Sequence, residues 1–124
     1  MTILPDKPPG SLQEKDLVAL LLQDAISILQ NDFILCGLDV SWIDQNIQDV
    51  FELKSLMRPV VERTGGPGSE VFYRLLYRVD IPEEKISDAL ISSADKDISS
   101  VISEMIIIRA LQKSYYRMKY REGT

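Results

Sequence analysis

Apolar positions along this chain recur three and four residues apart, which is the period of a helix packed on one side. No long strict alternation and no Asn-Gly or Asp-Gly pair suggests a strand or hairpin. The first strong run begins at Ser11-Leu12-Gln13-Glu14. This is a capping-box pattern, in which the two side chains satisfy free amides at a helix start. Leu, Ile and Ala then dominate to Cys36, and Asp16, Gln23, Ser27 and Gln30 form one narrow polar stripe. A stripe that narrow predicts a mostly buried helix. Gly37 follows as a stop.

Asp39 or Ser41 is placed to cap a second helix through Ile43, Ile47, Val50, Phe51 and Met57. Pro59 is expected to end or kink it, with Val60 to Thr64 able to add a turn, because an interior proline removes a hydrogen bond and crowds the preceding turn. Gly65-Gly66-Pro67-Gly68 is the clearest break. Ser69 then caps a short helix whose inward positions are Phe72, Leu75, Leu76 and Val79. Pro82-Glu83-Glu84 starts another, to about Ser92, since proline and acids suit a helix N-terminus.

The last and longest helix is expected from Asp95 or Asp97 to near Arg121. Its apolar seam is Ile98, Val101, Met105, Ile108 and Tyr115, with Gln112 as the polar exception. Ile102, Ile106 and Ile107 widen the apolar surface beyond that seam. The fold class is therefore all-α, a single-domain bundle of four to five helices with a long C-terminal helix. Residues 1–10, holding Pro5, Pro8 and Pro9, form an irregular arm. Residues 11–121 form the bundle and residues 122–124 a tail. The first and last helices are expected at its centre.

Composition changes the functional picture more than the structural one. Among the 124 residues there is no histidine and one cysteine, Cys36. Histidine-based acid/base catalysis, imidazole metal sites, internal disulfides and Cys-rich zinc sites are therefore excluded. No cofactor is implied, and an enzymatic role is not expected. The first ten residues lack the basic leader and apolar stretch of a secretory signal. The most apolar run, Leu17–Leu22, is cut by Gln23 and Asp24, so no membrane partner is expected. A cytoplasmic location is the simplest expectation. Cys36 reads as a small buried apolar residue, and Trp42 and Phe51 as core or interface anchors.

The formal net charge is −5, but the charges are unevenly placed. From Asp80 to Glu104, seven acids face two lysines. Asp95-Lys96-Asp97 is not a calcium loop, because Ser100 and Ile106 stand where glycine and a bidentate acid are needed. The acids read instead as caps and dipole partners. Arg74 and Arg78 are placed to bridge to Glu84 or Asp88. A helix-turn-helix over Ser69–Ser92 is set aside, since Glu83, Glu84 and Asp88 on its second helix would repel DNA. The glycine loop lacks a phosphate-loop lysine and reads as a connector.

The C-terminal end carries the opposite sign. Arg109, Lys113 and Arg117 step by four onto one face, with Tyr116, Tyr120 and Arg121 beside them. These six residues are the candidate interaction face. The function expected is a non-enzymatic one, acting through contact with a protein partner, self-association as a homodimer foremost. The alternative is an anionic ligand or nucleic acid, held by cations interleaved with stacking rings.

Overall fold

The computed structural model describes residues 4–44, 46–92 and 96–122. Among these residues five α-helices run in the order α1 (Lys15–Leu35), α2 (Val50–Arg63), α3 (Glu70–Arg78), α4 (Glu83–Ser92) and α5 (Ile98–Glu122). No strand occurs among the described residues. α1 and α2 both pack along α5, α3 lies against α1, and α4 against α5. α5 is thus the axis of the bundle.

Local chemistry explains the helix ends. α1 closes on Gly37 at φ +72°. The amides of Gly37 and Leu38 donate to the carbonyls of Ile34 and Phe33 at 2.9 and 3.0 Å. This is a Schellman closure, which needs a left-handed residue that glycine supplies without strain. α3 closes the same way at Asp80, φ +68°, with the amides of Asp80 and Ile81 on the carbonyls of Tyr77 and Leu76. The Ser69 hydroxyl accepts from the Phe72 amide at the start of α3. The Asp97 carboxylate accepts from the Ser99 amide at the start of α5. Asp95, the other start considered for α5, lies outside the described residues, as do residues 123 and 124. α5 itself reaches Glu122, one residue into the expected tail.

Three sequence expectations need correction. The capping box forms, but one turn early: Glu14 accepts from the amides of Gly10 and Ser11, and Ser11 accepts from Gln13. It closes a tight turn, and α1 starts at Lys15. The second helix is split. Asp39 caps a short 3-10 turn, Ser41–Asp44, accepting from the Ser41 amide and hydroxyl. Asp49 then caps α2 through the amides of Phe51 and Glu52, both at 2.9 Å. α2 continues past Pro59 to Arg63, the further turn allowed for after the proline. The proline sits on the exposed side, so its missing hydrogen bond falls where water is available. Finally, the seam through Met105 and Ile108 is only half buried. The buried face of α5 runs through Ile102, Ile106, Ile107, Ala110, Leu111 and Tyr115, because α1 and α2 cover it from two sides.

The core joins these α5 residues to Leu21, Ala25, Leu29 and Phe33 of α1 and to Leu53, Met57 and Val61 of α2. Among the described residues, α1 is the one helix long and apolar enough to cross a bilayer by length and composition. Here it serves as a core helix, with those four residues fully covered. The Ser114 hydroxyl donates to the Leu21 carbonyl at 3.4 Å across the α1–α5 contact. Residues 4–10 are irregular yet docked. Leu4 and Pro9 are buried, Tyr115 donates to the Pro5 carbonyl, and Gln112 to the Pro9 carbonyl at 3.1 Å. The polar exception in the α5 pattern therefore anchors the arm. Trp42 is half buried with its ring edge on Phe33 at 5.5 Å, whereas Phe51 is exposed and is not a core anchor.

Candidate functional site

Four-residue steps on α5 place Arg109, Lys113 and Arg117 in one row, and the next row carries Tyr116 and Tyr120. With Arg121, these six side chains line a single open depression of about 610 Å³. The six positions singled out in the sequence therefore do come together.

What the depression presents is not a bare cationic surface. Arg109 Nη2 pairs with Asp80 Oδ2 at 2.7 Å, and its Nε donates to the Asp80 carbonyl at 3.2 Å. Lys113 Nζ lies 3.9 Å from Asp32 Oδ2, and Arg117 Nη2 lies 3.5 Å from Asp24 Oδ1. Each cation of the row meets one acid from another element. Asp24 and Asp32 sit on α1 with side chains only 18% and 13% exposed. Their Oδ2 atoms are buried and accept no hydrogen bond from the described residues.

Burial sets the electrostatics here. Desolvation pushes the Asp32 carboxyl above its ordinary value, and the opposing pull of Lys113 and Arg78 does not cancel it. Desolvation likewise pushes the Lys113 ammonium down, against the pull of Asp32. The two groups meet at a distance beyond a hydrogen bond, so neither gains enough to offset the water it lost. Asp80 is different. It is exposed, and its hydrogen bond from Arg109 holds its carboxyl below the ordinary value.

Between these compensated charges stand two open rings. Tyr116 is 55% exposed and Tyr120 76% exposed. Their neighbour Tyr115 is buried, with its ring edge on Tyr116 at 5.3 Å. The partner acids Asp24, Asp32 and Asp80 were not legible as part of this site. The spacing of Asp24 and Asp32, eight residues apart on one side of α1, was the available signal. That span is twice the four residues from Lys113 to Arg117, so the pairing shows only once the two helices are set against each other and the long cationic side chains reach across.

The other charged features resolve differently. Arg58 pairs with Asp97 and, at 2.8 Å, with Glu62, and Lys54 with Glu104 at 3.5 Å. Part of the acidic segment is thus neutralised within the chain. Arg74 pairs with Glu70 of its own helix, at 3.7 Å, rather than with Glu84 or Asp88. Gly65, Gly66 and Gly68 have positive φ and link α2 to α3, while Ser69 donates back to the Thr64 carbonyl. Cys36 is buried, and burial raises its thiol above the ordinary value. Among the described residues no three acidic or cysteine side chains converge as a metal set. Comparison of the chain with protein-family models, curated proteins and solved structures finds no match.

Proposed function

We propose that the chain is a small, non-enzymatic helical module of the cytoplasm that acts through protein–protein contact, self-association included, using the C-terminal face of α5. The observation that carries this is the pair of open rings, Tyr116 and Tyr120, framed by cations already matched by acids. Tyrosine and arginine are enriched in protein interfaces and dominate their energetic centres. A tyrosine ring offers a large contact area while freezing few torsions. Charge compensation by Asp24, Asp32 and Asp80 lowers the cost of covering the face with another protein. The same compensation weakens the nucleic-acid alternative, which depends on cations free to displace counterions.

A photo-crosslinking residue in place of Tyr120 tests this in lysate, with the same residue at exposed Ser27 of α1 as control. Protein adducts from position 120 and not from position 27 are expected. Nucleic-acid adducts alone, or equal adducts from both positions, would overturn the reading.

A further inference from the structure

α4 is the least anchored helix of the bundle. Of its ten residues Ile86 is buried, Ala89 and Leu90 are half buried, and the rest are exposed, Ile91 at 77%. A helix this short does not hold itself in water and depends on what it packs against. Glu83, Glu84 and Asp88 point outward and make no ion pair among the described residues. Of these three acids, Glu83 lines a groove of about 340 Å³ at the α3–α4 turn, together with Tyr73, Tyr77, Pro82 and Ile86. Tyr77 is almost fully exposed.

The molecule therefore carries two aromatic grooves of opposite rim charge. The acids Asp80 and Glu83 line the α3–α4 groove, and Arg109, Lys113, Arg117 and Arg121 line the α5 groove. They meet at the Asp80–Arg109 pair. Asp80 and Pro82 line the first groove, Arg109 lines the second, and all three line the cleft between them. From that pair α4 runs back toward the start of α5, and the basic end of α5 runs the other way. The two grooves lie on either side of one pivot.

A surface with this layout is complementary to itself. In a two-fold dimer the same patch meets its own copy, so each half contacts the other half twice. We infer that the partner of the α5 face is the α3–α4 groove of a second copy, with the two-fold axis near Asp80 and Arg109. Tyr120 then enters the Tyr73–Tyr77 groove, and Arg117 faces Glu83, which lines that groove. Arg117 keeps half its side chain exposed while paired with Asp24, so it can serve a second acid. This inference rests on the protein-contact reading and names its partner.

Sedimentation equilibrium of the purified full chain tests it at low and high salt, with two variants, Glu83→Lys and Arg117→Glu. The wild-type chain is expected to dimerise, with a dissociation constant about tenfold weaker at high salt, because rim charges are screened. Each variant alone is expected to be monomeric and still to melt cooperatively, Arg117→Glu at a lower temperature because it sets a second carboxylate against Asp24. Mixed together they are expected to form a heterodimer, because both copies of the contact then regain opposite charges. A wild-type chain that stays monomeric would overturn the inference while leaving the crosslinking test of the α5 face standing. Dimers that persist in both variants, or a mixture that does not associate, would overturn the arrangement.

Discussion

Arg109 holds Asp80 by two atoms at once, the carboxylate at 2.7 Å and the main-chain carbonyl at 3.2 Å. Asp80 is also, among the described residues, the one non-glycine residue in the left-handed region. A position that ends α3 as glycine ends α1 is thus occupied by a residue that additionally ties the α3–α4 turn to α5. Asp80→Ala loses the carboxylate and keeps the strained backbone, whereas Asp80→Gly loses the carboxylate and relieves it. Urea unfolding is expected to find the alanine variant less stable than the glycine variant by about 1 kcal/mol, the scale of the left-handed penalty. Equal stabilities would show that the backbone there is not strained.

Asp32 gives a pH dependence of definite sign. Its carboxyl is raised by desolvation, so the folded chain binds that proton more tightly than the unfolded chain. Its contribution to stability is fully present below its ordinary value of 3.8 and is lost as pH rises through the raised value. Asp32→Asn keeps the group neutral throughout. The stability of Asp32→Asn relative to wild type is expected to increase between about pH 4 and about pH 7. A flat or falling difference in urea titrations would contradict the desolvated pairing with Lys113.

Ile106 and Met105 separate core from groove on α5. Ile106 is fully covered, while Met105 is half buried in the cleft beside Arg109. Ile106→Asp buries an unpaired charge and is expected to abolish the cooperative melt. Ile106→Ala is expected to cost about 2–5 kcal/mol. Met105→Asp is expected to fold, with a lower melting temperature. A reversed order by circular dichroism would show that the seam through Met105 is the true core.

Asp49 tests the split of the second helical segment. Asp49→Ala removes the acceptor for the Phe51 and Glu52 amides and is expected to cost about 1 kcal/mol, as N-cap losses do. If α2 instead continued upstream, this substitution would be neutral or stabilising.

The split also marks where the sequence stopped being informative. Gly37, Ser69 and Pro82 could be read directly, because each acts on its own few residues. Ile43, Ile47 and Val50 keep helical spacing, so nothing in the pattern announced the break before Asp49. The 3-10 turn there is held by a tertiary contact, the Trp42 ring on Phe33, and by Trp42 Nε1 donating to the Asp39 carbonyl at 2.8 Å. The interaction face divides the same way. The row Arg109, Lys113, Arg117 and its tyrosines is local periodicity. Its compensation by Asp24, Asp32 and Asp80 depends on how distant segments pack, which spacing along one helix cannot express. How far α2 runs past Pro59 is a related case: the effect of the proline depends on which side of α2 meets water.

The proposed contact face stands or falls on two rings. Sedimentation equilibrium of Tyr116→Ala/Tyr120→Ala beside the wild-type chain tests this most directly, because both rings are exposed and their removal leaves the core intact. The wild-type chain is expected to self-associate, and the double variant to do so at least about tenfold more weakly, a loss of roughly 1.4 kcal/mol or more, with the same thermal melt. Identical association of the two chains, with both folded, would contradict the assignment of α5 as the contact face.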